Sequence, residues 1–259
     1  MLRSAEPTIQ AEHLDQIDRL ADRIEPDDPA IAGWYHHYHR EHARRLAGDV
    51  ALVSRLAAPP ARLLDCGSVP LLATAALASR GYRISGVDIA PARFAGAIRR
   101  LSLDVRQCDI ECEPLPFADG TFDGVLFSEL FEHLRINPIA TMREVRRVLR
   151  AGGRLVLSTP NLRSFRGARN LLLRDRGHAV SPGGLRQYEK LETIGHMGHV
   201  REYTLTEVVE LLDHVGLRVD EVIYRGGHGK GLVGLAERLF PAWRPFFTLV
   251  AVRPAEDGQ

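Results

Sequence analysis

An α/β fold with a mostly parallel, seven-stranded sheet and helices on both faces is what this chain predicts, and three observations predict it. Apolar runs of strand length recur at residues 61–67, 82–89, 103–109, 122–128, 154–160, 217–224 and 247–252. Helix-period segments at 71–79, 139–149 and 206–215 alternate with them. Two successive runs end on an acid, Asp65 and Asp88. Strands that alternate with helices pair in parallel, because each crossover returns the chain to the same edge of the sheet. An acid at the second strand tip, after a glycine turn and a helix, is how such folds hold a ribose.

The elements follow in order. Ile9, Leu14, Ile17, Leu20 and Ile24 stand at near-helical spacing, and Glu25-Pro26-Asp27-Asp28-Pro29 breaks the chain after them. A second helix is expected from about residue 31 to 56, ending before Pro59-Pro60. Residues 1–58 thus read as an N-terminal helical extension and 59–259 as the main domain. Ala61 to Gly67 is a strand entering a turn, and the alanine-rich segment from Leu71 to Ser79 is the helix that follows. Strands at 82–89, 103–109 and 122–128 come next, then an amphipathic helix stopped by Ala151-Gly152-Gly153. After the strand at 154–160, residues 162–200 are glycine-rich and read as an irregular, lid-like insert. Thr204 or Thr206 is the expected N-cap of the last large helix. Two strands close the chain.

Composition narrows the function. Thirty-four basic residues against 33 acidic ones exclude the strong field of a nucleic-acid binder. No apolar run reaches the length of a membrane span, and the N-terminus lacks the pattern of a secretion signal. Cys66, Cys108 and Cys112 have no zinc spacing and read as small core residues of a reduced, cytoplasmic protein.

The ordered motifs LLDCG, GVDIAP, CDIECEPLPFADGTFDGVLFSELFEHL, REVRRVLRAGGRLVLSTPN and HVREYTLTEVVELLDHVGL resemble the class I S-adenosylmethionine-dependent methyltransferases, in particular the group acting on small molecules and glycans. The resemblance covers roughly residues 60–225 and, more weakly, the final strand. It implies a Rossmann-like sheet with an antiparallel last strand and S-adenosylmethionine as cofactor. Asp65, Gly67 and Ser68 would then approach the methionine and ribose parts of that cofactor. Asp88 would accept from both ribose hydroxyls, with Ile89 beside it. Asp109 would meet the adenine amino group, with Ile110 against the ring. Ser128, Glu129 and Leu130 would follow at the carboxyl edge of the sheet. The chain departs from the family where three glycines are usual: the positions here are Gly67, Val69 and Leu71, and a β-branched Val69 resists positive φ.

The base expected for a hydroxyl acceptor is His199 or His133; His196, in the same Gly195–Arg201 segment as His199, is a third candidate. His36, His37, His39 and His42 lack companion carboxylates at ligand spacing, so no metal is expected. Tyr35 and Tyr38 are packing residues or a cover over the cofactor. Arg163, Arg166, Arg169, Arg174, Arg176, Arg186 and Lys190 are a solvated surface or a site for an anionic acceptor. Residues 232–247 are apolar on one side and read as a cap or a homodimer contact.

The function expected is methyl transfer to a hydroxyl of a small molecule or of a sugar or glycan-biosynthesis intermediate. N- or C-methylation, and a degenerate scaffold that binds a partner without catalysis, are the alternatives. A nicotinamide oxidoreductase would want a G-x-G-x-x-G turn, which this chain lacks.

Overall fold

The computed structural model describes residues 2–181, 183–195, 198–227 and 231–255. In chain order they form β1 (Leu2–Ser4), α1 (Ala11–Ala21), α2 (Ala32–Leu56), β2 (Arg62–Cys66), α3 (Leu72–Ser79), β3 (Arg83–Asp88), α4 (Ala95–Arg100), β4 (Asp104–Gln107), β5 (Phe122–Ser128), α5 (Pro138–Val148), β6 (Leu149–Pro160), α6 (Phe165–Arg174), α7 (Gly184–Ile194), α8 (Leu205–His214), β7 (Arg218–Arg225), α9 (Gly231–Leu239) and β8 (Phe246–Val252). The described residues hold eight strands where the sequence predicts seven. The addition is β1, whose three residues are too short to show a period.

One compact unit comprises residues 7–126 and 147–154. Its strands run β5-β2-β3-β4, every pair parallel. β2 is central, and Leu63, Leu64, Asp65 and Cys66 are all buried, as expected of a strand covered on both faces. Its register sets Asp65 opposite Gly86 on one side and Leu126 on the other. β4, at the edge, is mostly exposed. Helices α1, α2 and α3 pack on one another in this unit. Ile17, Leu20, Leu46, Val50 and Val53 fill the seam, and Ala73, Ala75 and Ala76 let α3 approach closely. Each large aliphatic side chain buried there contributes ~1.5–3 kcal/mol.

The second unit comprises the described parts of residues 1–6, 127–146 and 155–259. Its strands run β1-β7-β8-β6, with β1 parallel to β7 and β8 antiparallel to β7, as the resemblance implies for the last strand. Thr204 is the N-cap of α8: its hydroxyl accepts from the Glu207 N–H, and the Glu207 carboxylate accepts from the Thr204 N–H at 2.8 Å.

The insert is not irregular. Residues 165–174 and 184–194 form α6 and α7. The glycines that hid the helical period serve packing instead. A Cβ at Gly167 would lie 2.0 Å from the Leu162 carbonyl oxygen, so only glycine fits in that first helical turn. Ser164 caps α6, its hydroxyl accepting from Gly167 N–H at 3.1 Å. β6 also begins earlier than expected, at Leu149 rather than after the glycine pair.

Gly86 in β3 fixes the path of the turn after β2. A Cβ there would stand 2.8 Å from both Cβ and Oγ of Ser68. Gly86→Ala is therefore expected to lower stability by about 1–3 kcal/mol in urea denaturation. Adding Ser68→Gly removes both clashing atoms and should recover most of that loss. Strictly additive effects in the double-mutant cycle would show that the two residues do not constrain each other.

Candidate functional site

The first unit carries the predicted cofactor acids at the carboxyl ends of its strands. Asp65 is buried, and its Oδ2 accepts from the Thr74 hydroxyl of α3 at 2.6 Å. Burial, together with the nearby charges of Asp49 and Asp88, pushes its carboxyl up to about 7, although Thr74 and Arg45 act in the opposite direction. Gly67 follows with φ 72°, and the N–H groups of Gly67 and Ser68 both donate to the Val87 carbonyl, at 2.9 and 3.1 Å.

The turn solves its missing glycines differently from the sequence expectation. Among the described residues Val69 is not in the left-handed region; Leu71 is, at φ 73°, immediately before α3. That conformation costs of order 1–2 kcal/mol for a bulky residue, and the complete burial of the Leu71 side chain holds it there. Val69 has a use of its own: its N–H donates to Asp88 Oδ2 at 3.1 Å. The Ala90 N–H donates to Asp88 Oδ1 at 2.9 Å. Both carboxylate oxygens are thus oriented by backbone. Asp88 and its neighbour Ile89 are half-buried.

Asp109 stands just past β4. Its Oδ1 accepts from Glu111 N–H at 3.1 Å, and its carbonyl accepts from Cys112 and Glu113. The acid thus shapes its own turn; it and Ile110 are half-buried. Ser68 supplies the clearest fit to a ligand: its Oγ is buried and has no hydrogen-bond partner among the described residues. A hydroxyl left so at the glycine turn, and a ready-oriented carboxylate at the next strand tip, suit the polar groups of an adenosyl cofactor.

The second unit carries the other predicted residues after β5. The Ser128 and Ser158 hydroxyls are 2.9 Å apart, Ser158 Oγ donates to Glu129 Oε1 at 3.0 Å, and the Glu129 N–H donates to the Ser158 carbonyl at 2.9 Å. Glu129 has φ 51°, and Leu130 leads into a single 3-10 turn (Phe131–His133). That turn holds Glu132 and His133. His133 and His199 lie together, their ring centroids 4.8 Å apart and edge to face.

Each of these groups is anchored. The Glu132 side chain is buried, its Oε2 accepting from the Thr159 hydroxyl at 2.9 Å. Its backbone carbonyl accepts from Val200 N–H at 2.9 Å, which ties the segment of His199 to the turn. Burial and the charge of Glu129 raise the Glu132 carboxyl well above the usual carboxylate range. His133 Nδ1 donates to the Gly198 carbonyl at 3.0 Å. Burial, and then His199, pulls the His133 imidazole down to about 3, so it is neutral near pH 7. His199 Nδ1 lies 2.7 Å from Ser181 Oγ and 3.5 Å from Glu202 Oε1. Burial disfavours its charge, but Glu202, Glu132 and Glu129 outweigh that and raise its pKa. Burial likewise opposes the Glu202 charge, yet His199 and the N–H groups of Ala179 and Ser181 hold it down to about 2.

The remaining expectations divide. His196 lies outside the described residues. Tyr35 is a core residue: it is buried, its hydroxyl donates to the Ala21 carbonyl at 3.1 Å and its ring packs on Phe94. Tyr38 is half-buried and accepts from Arg45. His37 pairs with Glu41 and His39 with Asp18; among the described residues no three-ligand cluster forms at these early histidines. Arg163, Arg166, Arg169, Arg174, Arg176, Arg186 and Lys190 are exposed. Leu232, Leu235, Leu239 and Phe240 of the late apolar stretch are exposed as well. Cys66 and Cys108 are buried, but Cys112 is exposed and is not the core residue expected. No helix among the described residues is long and apolar enough to cross a membrane.

The sequence reading missed Thr74, Arg45, Asp49, Glu132, Ser181 and Glu202. Thr74 carried a usable signal, being a hydroxyl within the otherwise apolar run of residues 71–78. Ser181 carried none, because only the folded insert brings it to His199, whereas Glu202 stands three residues beyond His199 and could have been noticed.

Residues 64–157 match the family described as a methyltransferase domain. The chain is 33% identical over 115 residues to a ubiquinone biosynthesis O-methyltransferase of Xanthomonas campestris pv. campestris, covering 42% of this chain and 47% of that relative. It is 34% identical over 110 residues to a demethylmenaquinone methyltransferase of Mycolicibacterium vanbaalenii, covering 41% and 46%. The chain spans about half the length of the curated relatives it matches. Its fold is that of a TehB-like SAM-dependent methyltransferase from Corynebacterium glutamicum, with a TM-score of 0.58 at 16% identity over 87% of this chain and 99% of that one. Residues 64–157 thus carry a methyltransferase domain, and the chain has the fold of S-adenosylmethionine-dependent methyltransferases.

Proposed function

We propose that this protein transfers a methyl group from S-adenosylmethionine to a hydroxyl of a small molecule or sugar-type acceptor. The observation that carries the reading is the anchored pair His133 and His199 beside the turn after β5. The relatives named for ubiquinone biosynthesis O-methylation support an oxygen acceptor of small size.

In this reading Asp88, Ser68 and the Gly67 backbone hold the ribose side of the cofactor, Asp65 lies toward its methionine part, and Asp109 with Ile110 flanks the adenine. Ser128, Glu129 and Leu130 complete the set. When bound, S-adenosylmethionine supplies a methyl group already activated on a sulfonium. The chain's own work is to align the acceptor, to exclude water and to take one proton. Alignment of bound reactants can contribute several kcal/mol, up to ~10 in good cases.

His199 is suited to the proton. Its Nδ1–H faces the Glu202 carboxylate and Ser181 Oγ, which leaves Nε2 as the basic atom. Glu202 stays charged and stabilises the imidazolium formed, as the acid of a nucleophile–His–acid triad does. His133 is neutral, and its Nδ1–H is committed to Gly198. It therefore offers a second lone pair rather than a second charge. Residues 1–58 are then an N-terminal extension, and residues 162–200 the acceptor-side insert.

S-adenosylhomocysteine is expected to raise the melting temperature, and NAD is not. Asp88→Ala should weaken S-adenosylhomocysteine about 10- to 100-fold in calorimetry, the worth of hydrogen bonds to a charged group. A wild-type protein that gives no heat with the compound would sink the cofactor assignment.

His199→Ala should lower turnover at least tenfold on the phenol or sugar accepted from a panel with radiolabelled donor, and change the S-adenosylhomocysteine Kd little. Unchanged turnover removes His199 from the proton transfer.

Asp65 makes stability depend on pH. It faces Asp49 and Arg45 from α2, Thr74 from α3 and Asp88 from β3, and its folded pKa of about 7 stands above the unfolded 3.8. Between these values the folded chain keeps a proton that the unfolded chain releases, so this contribution falls as pH rises from about 4 to 7 and then levels off. Asp65→Asn should remove the fall. Its stability relative to wild type should thus be higher at pH 8 than at pH 4 by on the order of 1–3 kcal/mol. A difference that does not change with pH would show that Asp65 is already ionised at pH 4.

A further inference from the structure

Among the described residues, three side chains of ligand type converge: one ligand atom from each of Glu132, His133 and His199 lies within 4.8 Å of the others. They come from a single 3-10 turn and from a segment 66 residues later, so no sequence spacing announces them. We propose that Glu132 Oε1, His133 Nε2 and His199 Nε2 form a site for one divalent transition-metal ion.

The hydrogen bonds select those atoms. A carbonyl oxygen only accepts, so the 3.0 Å contact between His133 Nδ1 and Gly198 O places the proton on Nδ1 and the lone pair on Nε2. The carboxylate of Glu202 likewise only accepts, and with Ser181 Oγ it faces His199 Nδ1. That again leaves Nε2 as the free lone pair. Glu132 spends Oε2 on the Thr159 hydroxyl at 2.9 Å. Its Oε1 is buried and has no hydrogen-bond partner among the described residues. A buried carboxylate oxygen without a partner costs free energy unless a proton or a metal cation meets it.

The separations also suit an ion better than a direct contact. Glu132 Oε1 and His199 Nε2 are 4.0 Å apart, too far for a hydrogen bond. Ligands held about 2.0–2.2 Å from a common ion stand roughly 3.4 Å apart in a tetrahedron and about 4.2 Å apart when opposite. With atoms up to 4.8 Å apart, the three side chains need to draw in by about an ångström to share one ion. Their outer partners are those that metal-binding histidines and carboxylates require: a backbone carbonyl behind His133, a carboxylate and a hydroxyl behind His199, a hydroxyl behind Glu132. Glu129 adds a negative charge that acts on both Glu132 and His199.

Two imidazoles and one carboxylate select zinc, cobalt, iron or nickel over magnesium and calcium, which prefer oxygen alone. The chemistry such an ion supplies is polarisation of an acceptor oxygen. That role rests on the O-methyl reading above, in which His199 Nε2 would then be a ligand rather than the base; the binding itself does not rest on it.

The test uses the full chain without a polyhistidine tag. Zn2+ is titrated calorimetrically against a competing chelator, and Co2+ is followed by its visible d–d absorption. The expected result is one tight ion per chain with a low-symmetry Co2+ band. His133→Ala and His199→Ala should each weaken Zn2+ at least tenfold and abolish the band, while S-adenosylhomocysteine still binds. Should either variant fail to fold, Glu132→Gln decides, since it keeps the shape and removes the charge; it should weaken Zn2+ at least tenfold. A wild-type chain that shows no band and no Zn2+ heat at micromolar concentration overturns the proposal. So does binding that persists unchanged in these variants. S-adenosylhomocysteine binding without metal binding defeats only this inference. Metal binding without S-adenosylhomocysteine binding defeats only the methyl-transfer reading.

Discussion

A carboxylate removed from water must be met by donors or give up its charge, and Glu202 is met by several. The N–H groups of Ala179, Val180 and Ser181 converge on its two oxygens, and His199 stands at its side. Those contacts fix the chain between α6 and α7 and set the ring plane of His199. Removing one partner from such a buried, charged cluster leaves the others uncompensated, at a cost of several kcal/mol. The placement of the His199 ring and of the chain before α7 rests on this one group.

Asp65 and Glu202 show how donor supply decides the state of a buried acid. Glu202 has backbone N–H groups and an imidazole, and stays ionised. Asp65 is just as enclosed but, among the described residues, is met by one hydroxyl at 2.6 Å, with two further carboxylates in its surroundings. Burial dominates there, and the proton is retained to higher pH. Two carboxyl groups thus differ in protonation near neutrality through what surrounds them: Glu202 is ionised and Asp65 partly protonated.

The strand ends were legible in the sequence because buried parallel strands leave continuous apolar runs, and both Asp65 and Asp88 terminate such runs. The capping of α8 was legible for a similar reason, since Thr204 and Glu207 act within one helical turn. The helices α6 and α7 were not. Their glycines read as breaks, yet Gly167 is there because the Leu162 carbonyl leaves no room for a Cβ. The turn after β2 was legible in outline only. A valine in place of glycine was read as a barrier to positive φ, whereas the structure moves that conformation to Leu71. His133 and His199 each drew attention separately. Their adjacency, and the Gly198 carbonyl that sets the tautomer of His133, depend on tertiary contacts between segments far apart in the chain.

Val69 and Ala90 clamp the carboxylate of Asp88 through their backbone N–H groups before any ligand arrives. In the proposed ribose-binding role, a side chain already held in one rotamer would surrender little further torsional freedom when a diol docks against it. The entropy charged to ordering that acid falls on folding rather than on association. A turn with fewer glycines, and hence a narrower range of backbone shapes, then favours recognition by being stiff.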